Sequence, residues 1–285
     1  MPNTPPLPAL PPLELTLIGI GAGNPAHLTG EAAAAMRAAD LILLPHKGEE
    51  KAELAALRQG LCDAVLKDAV LQNSARPHLA GFDMPVRRSA GEDYLNQVDE
   101  WHAAIAGRWQ ATIAAAWAAM RAENAAATSP SAATPLAVAL LVWGDPALYD
   151  STLRIAARLH PAPQRVRVVP GITAMQALAA AHAIAFNAIG QPFTVTTGRQ
   201  LREQGWPSGV DTAIVMLDGQ CSFTALPPAL AQTLHIWWGA YLGMPQQILD
   251  SGPLLQAGPR IQQARAQARQ QHGWIMDTYL LRRTP

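Results

Sequence analysis

Leu17 to Thr29 reads LIGIGAGNPAHLT, and the meaning of its glycines decides the fold. The run that leads into it, LELTLIGIG from Leu13, is apolar and ends in glycines, which predicts a buried strand and a tight turn. Behind it TGEAAAAMRAAD has helical composition, with Thr29 placed to cap the helix and Asp40 at its end. LILL, Leu41 to Leu44, then supplies a second strand, so the segment predicts a strand, helix, strand unit with parallel strands.

A dinucleotide fold would need G-x-G-x-x-G at this turn and an acidic residue after the second strand. Here Gly19, Gly21 and Gly23 are followed by Asn24 where the third glycine belongs, and the second strand runs into Pro45, His46 and Lys47. The usual ribose ligand is missing, which disfavours an NAD-dependent oxidoreductase. A Walker loop is excluded because no G-K-[ST] follows. What remains is a turn in which glycine permits positive φ and close approach to the main chain.

Outward from that turn the alternation continues. GEEKAELAALRQGLCDAVL, 48–66, predicts an amphipathic helix covering one face of the sheet, and Glu92 to Ala127 a long one. In the second helix Trp101, Ile105, Trp109, Ile113 and Trp117, four apart, predict a core-facing stripe. TSPSAATP, 128–135, reads as a loop. LAVALLVWGDP, ALYDSTLRIAARL, VRVVPG and ITAMQALAAAHAI continue as strand, helix, strand, helix. FTVTT, TAIVMLDG and LHIWWGAYL follow as strands, with PQQIL and RIQQARAQARQQ as helical pieces. The expectation is an α/β protein of two domains with mostly parallel or mixed sheets. The proline-rich 1–12 is read as a tail, 13–174 as the first domain and 175–285 as the second.

Over 285 residues the 21 basic and 21 acidic side chains cancel, which argues against a nucleic-acid partner. Hydrophobic residues are 49% of the chain but form no run of about 18, so no membrane span is expected. Cys62 and Cys221 form no CxxC, and none of the eight histidines has a metal-binding spacing. We expect no metal, a reducing cytoplasm, and a buried thiol at Cys62.

Three glycine turns follow apolar strands in order: GIGAGNPAHLT at 19–29, WGDPALY at 143–149 and VPGITA at 169–174. Together they resemble the tetrapyrrole methylase family, S-adenosylmethionine-dependent enzymes that methylate ring carbons of uroporphyrinogen and the precorrins. HKGEEKAELAALR (46–58), DMPVRR (83–88), YLNQVDEWHAAI (94–105), VMLDGQCSF (215–223) and IWWGAYLGMPQQIL (236–249) look like segments of one subgroup. That subgroup methylates C-1 of precorrin-5 and releases an acetyl group as acetate. Its members commonly have an acidic residue before the KG, where this chain has His46. The first loop of the wider family often reads G-x-G-P-G, against Gly21, Ala22, Gly23 here.

The resemblance implies the class III methyltransferase fold, a homodimer, a tetrapyrrole substrate, and S-adenosyl-L-methionine as methyl donor in a cleft between domains. A donor without phosphates fits a turn without a pyrophosphate spacing. Residue by residue, the implied cofactor contacts are Gly21, Ala22 and Gly23; Trp143, Gly144, Asp145 and Leu148; Thr173 and Ala174; and, in the second domain, Leu217 and Gly239. Asp145 with Pro146, and Thr173, also read as helix caps.

For a macrocycle rimmed by carboxylates, Arg87, Arg88, Arg199 and Arg202 are the candidate binding residues, because guanidinium pairs with carboxylate bidentately. Methyl transfer needs alignment in a dry cleft and no nucleophile from the protein. Deacetylation needs a base or an oxyanion donor, and Lys47, Arg88 and Tyr149 are the catalytic candidates. Another tetrapyrrole or diphthine-type methylase, and a non-catalytic cofactor-binding protein, stay open as alternatives.

Overall fold

The computed structural model describes residues 10–46, 52–71, 76–86, 94–123 and 134–284. The chain divides into two compact units: Met1–Gly21 with Leu28–Gly171, and Ala22–His27 with Ile172–Pro285.

In the first unit the strands are β1 (Leu13–Gly19), β2 (Leu41–His46), β3 (His78–Asp83), β4 (Leu136–Val142) and β5 (Arg165–Val169). They are parallel throughout, in the order β3-β2-β4-β1-β5. Between them run helices α1 (Gly30–Ala38), α2 (Ala52–Leu71), α3 (Tyr94–Glu123) and α4 (Thr152–Ala156). A fully covered parallel sheet must be apolar on both faces, and the two-residue period sorts its side chains. Leu13, Leu15, Leu17, Leu41, Leu43, Val138 and Leu140 pack against Ile105, Trp109 and Ile113 of α3, with Trp101 and Trp117 partly buried beside them. The tryptophan stripe is thus a core face. Ile18, Ile42, Leu44, Ala139 and Leu141 point the other way, onto Ala32 and Met36 of α1 and Leu61, Cys62 and Leu66 of α2.

Thr29 caps α1 as read, its Oγ1 accepting from Ala32 N at 3.0 Å. Asp40 does not close the helix, which ends at Ala38; its carboxylate accepts from Ala137 N on β4. Leu10, within the stretch read as tail, is buried in the first core, and Pro12 O accepts from Leu136 N. The helix expected from Ala147 shrinks to α4. The carboxylate of Asp145 takes the N–H of Ala147, that of Asp150 takes Thr152 N, and Tyr149 turns left-handed at φ 49°, so the chain cannot coil before Thr152.

The second unit has β6 (Thr194–Thr197), β7 (Thr212–Met216), β8 (Leu234–Ala240), β9 (Ile248–Pro253) and β10 (Asp277–Arg283), ordered β6-β7-β10-β8-β9. Only β6 and β7 pair in parallel, so this sheet is mixed. Its helices are α5 (Ala174–His182), α6 (Gly198–Gln204), α7 (Pro228–Ala231) and α8 (Leu254–His272). PQQIL is not helical. Gly243 at φ 79° turns the chain, Gln247 N bonds back to Met244 O, and Ile248 opens β9 against β8. The fold is two α/β units, one with a parallel sheet and one with a mixed sheet.

Candidate functional site

The strand order of the first unit sets β1 between β4 and β5, with Gly19 in register with Val142 and Ile18 with Val169. The turns that leave the carboxyl ends of these strands therefore converge, where open α/β sheets hold their ligands. They pack main chain to main chain. A Cβ on Gly19 would lie 2.6 Å from Gly171 N and 2.7 Å from Gly144 O, and one on Gly171 would lie 2.1 Å from Gly144 O. Gly144, at φ 65°, donates its N–H to Gly21 O at 2.8 Å, and Gly21, at φ 79°, returns its own to Gly144 O at 3.4 Å. Asp145 finishes the knot: one carboxylate oxygen accepts from Ala147 N and the other from Gly171 N, at 2.8 and 2.9 Å. It binds across two turns and caps no helix.

These bonds decide a chemical question. The N–H groups of Gly21, Gly144 and Gly171 are all spent on the protein itself, so the knot offers no row of donors to a pyrophosphate. It offers shape and apolar surface.

Trp143 and Leu148 stand on the β4 turn, both partly buried, and Tyr149 is half-exposed. Burial pushes the Tyr149 phenol above its ordinary value. Trp143 carries on its ring the guanidinium of Arg58, 4.9 Å from the centroid. His46, which replaces the acidic residue expected there, lies over Gly81 of β3, where a Cβ would come within 2.3 Å of its Nε2.

In the second unit Ala22 packs against Ala177, Leu178, Leu242 and Leu280. Gly23, at φ 126°, leaves room for the Met244 side chain. Thr173 caps α5: its N–H and its hydroxyl both donate to Gln176 Oε1, at 2.7 and 2.6 Å, with Ala174 the first helical residue. Gly239 is a packing glycine on β8, for a Cβ there would lie 2.6 Å from Leu242 Cδ2. Leu217, just after β7, is the unusual residue: it holds φ 53° with 67% of its surface exposed. A left-handed leucine costs about 1–2 kcal/mol, and here no core packing offsets it.

Next to Leu217, Asp218 is buried and fully engaged, accepting from Ser222 N, Ser222 Oγ, Gln220 N and Tyr279 Oη. Burial pushes its carboxyl up, but these four donors outweigh it and hold the group below its ordinary value. Gly198 faces it, where a Cβ would fall 2.3 Å from Oδ1. Arg265 donates to Asp218 O and pairs with Asp277, which also accepts from Trp238 Nε1. Burial opposes the Arg265 charge, and Asp277 more than restores it. Arg202 is exposed and donates to Ser222 Oγ; Arg199 is exposed on the same helix.

Within the first unit Gly21, Trp143, Gly144, Asp145, Leu148 and Tyr149 thus lie on converging turns, and within the second Arg199 and Arg202 share α6. Lys47, Arg87 and Arg88 lie outside the described residues. Nothing in the sequence pattern marks Arg58, at the end of HKGEEKAELAALR, or Asp218 and Tyr279 as site residues. A carboxylate after a strand and a tyrosine in the final strand carry no spacing that links them. Cys62 is a buried thiol as expected, pushed by burial to about 11. Among the described residues no group of His, Cys, Asp and Glu could hold a metal, and no helix is long and apolar enough to cross a membrane.

A two-unit α/β fold with such turns at its parallel strand ends defines a class, and residues 14–257 match the Tetrapyrrole (Corrin/Porphyrin) Methylases. The chain belongs to this family. It is 40% identical, over 273 residues and 95% of both chains, to "Precorrin-6A synthase [deacetylating]" of Sinorhizobium sp. A crystal structure of a putative cobalamin synthesis related protein (CobF) from Corynebacterium diphtheriae superposes with TM-score 0.69 at 34% identity, covering 96% of this chain and all of that one. The uroporphyrin-III-C-methyltransferase of Thermus thermophilus shares the fold, at TM-score 0.51 and 18% identity, over 95% of this chain and 92% of that one.

Proposed function

We propose that this chain is an S-adenosylmethionine-dependent C-methyltransferase that methylates C-1 of precorrin-5 and releases the acetyl group as acetate, giving precorrin-6A. Family membership together with 40% identity along 95% of the chain to a relative of that name carries the reading.

The donor, when bound, supplies an electrophilic methyl group. The strand-end knot suits it: with its glycine N–H groups consumed, the site favours a ligand without phosphates. In the first unit Gly21, Gly144 and Asp145 fix the turns that present Trp143 and Leu148 as candidate cofactor contacts, and in the second unit Ala22, Thr173 and Ala174 are candidates through backbone and apolar surface. The exposed Leu217 is the candidate wall for the adenine, a role that would account for its backbone strain. Gly23 and Gly239 serve by leaving space.

Methyl transfer then rests on alignment and exclusion of water. For acetyl removal Tyr149 is assigned the oxyanion donor, because its phenol stays protonated. Lys47 and Arg88 are the further candidates, and Arg87, Arg88, Arg199 and Arg202 the candidates for ring carboxylates. The reading includes working domain limits of 13–174 and 175–285, a homodimer, and a cytoplasmic location.

Calorimetry with S-adenosylhomocysteine and NADH tests the site: the first is expected to bind, and binding of NADH alone would overturn the reading. Incubation with labelled S-adenosylmethionine and a precorrin-5-generating system should label the macrocycle and release acetate in equal amounts. Label without acetate would refute the deacetylase half.

A further inference from the structure

Arg58 is 5% exposed in the middle of α2, and its Nε is buried with no hydrogen-bond partner. Among the described residues no carboxylate comes within ion-pair distance of it. Asp150 attracts it from further away, but that carboxylate is engaged by the N–H and hydroxyl of Thr152. The guanidinium rests instead on Trp143, whose indole Nε1 is also buried and unpartnered. Burial pulls Arg58 down to about 10, so it is still a cation at neutral pH.

A buried unpaired cation is strongly unfavourable, and a cation–π contact offsets only part of the cost. Two orphaned N–H donors, one of them charged, thus belong to side chains in contact with each other, Arg58 reaching from α2 and Trp143 standing on the turn that carries Gly144 and Asp145. Both lack an acceptor, and the acceptor that a planar guanidinium fork matches is a carboxylate.

We propose that Arg58 and Trp143 form a carboxylate-binding subsite of the methyltransferase centre. The assignment rests on the methylase reading for its choice of ligands, which offer that chemistry from two sources: the amino-acid end of the methyl donor and the acidic side chains of the macrocycle.

The test is calorimetry on the full chain, wild type, Arg58→Met and Arg58→Lys, with three probes: S-adenosylhomocysteine, 5′-methylthioadenosine, which lacks the amino-acid end, and uroporphyrin. Arg58→Met is expected to weaken at least one carboxylate-bearing probe tenfold or more while methylthioadenosine binds as before, and to raise the unliganded melting temperature by removing the buried charge. Loss confined to S-adenosylhomocysteine assigns the donor's carboxylate; loss confined to uroporphyrin assigns the macrocycle's. Arg58→Lys keeps the charge without the fork and should retain part of the affinity, and it carries the binding test should the methionine variant fail to fold. Unchanged affinities for both carboxylate probes in a folded variant would overturn the subsite alone. Failure of wild type to bind S-adenosylhomocysteine would overturn the methylase reading beneath it.

Discussion

The carboxyl ends of the two sheets are built from opposite materials. In the first unit the turns after β1, β4 and β5 are held by main chain against main chain, with glycines at the contacts and Asp145 tying two of the turns through its side chain. In the second unit the turn after β7 is held by side chains: Asp218 gathers Ser222 and Tyr279, and Arg265 links it to Asp277 and Trp238. Parallel neighbours bring several turns to one end of a sheet, and their backbones then meet. An antiparallel strand such as β10 arrives from the other direction and lends its side chains instead. The two constructions should fail differently.

The largest effect is expected in the main-chain knot. In Gly171→Ala the new methyl would sit 2.1 Å from Gly144 O, a backbone atom that cannot step aside. We expect a loss of roughly 3 kcal/mol or more in urea unfolding and no measurable S-adenosylhomocysteine binding. Wild-type stability in that variant would show that the turns are looser than their contacts imply.

In the second unit a deletion should be milder and pH-dependent. Tyr279→Phe takes one of four donors from Asp218 and should cost about 1–2 kcal/mol at neutral pH. Because the folded state holds this carboxyl below its ordinary 3.8, its contribution is present above that value and lost as pH falls through the folded value. The variant moves the folded value upward, so its deficit should be full near pH 7 and shrink in acid titrations below 3.8. A deficit constant with pH would place the Tyr279 effect in packing alone.

These constructions also differ in how much the chain announces them. Glycine turns after apolar strands are local patterns, so GIGAG, WGDP and VPG were readable, as were Thr29 as a cap and the tryptophan stripe on α3. The Asp218 network was not, because its members come from β7, the turn after it, α8 and β10, and no periodicity connects them. Side-chain hydrogen bonds to the local backbone were the other blind spot: Asp145 and Asp150 broke a helix that composition favoured. β3 and β10 carry no local pattern either. HLAGFD at the sheet edge has only Phe82 fully buried, and DTYLLRR finds its partners in β7 and β8, far upstream.

The smallest stability effect, and the sharpest on function, belongs to Leu217. Leu217→Gly relieves a left-handed backbone at an exposed site and should change stability by less than about 1 kcal/mol, in the favourable direction. Affinity for S-adenosylhomocysteine should fall several-fold at the same time. Greater stability with unchanged affinity would deprive the strained leucine of its proposed role.

The segment Ala22–His27 has a consequence for how the protein is made. It is synthesised near the start of the chain, between β1 and α1, yet it packs with the second unit, where Gly23 meets Met244 and Gly243 meets His27 and Asn24. On the ribosome Gly23, Asn24 and His27 wait for Gly243 and Met244, made more than 200 residues later, because such distant contacts close late. Neither unit is therefore a contiguous stretch of gene. A cut at Gly171 would leave the carboxyl-terminal fragment without one of its own pieces, which the amino-terminal fragment would carry as an unpaired loop.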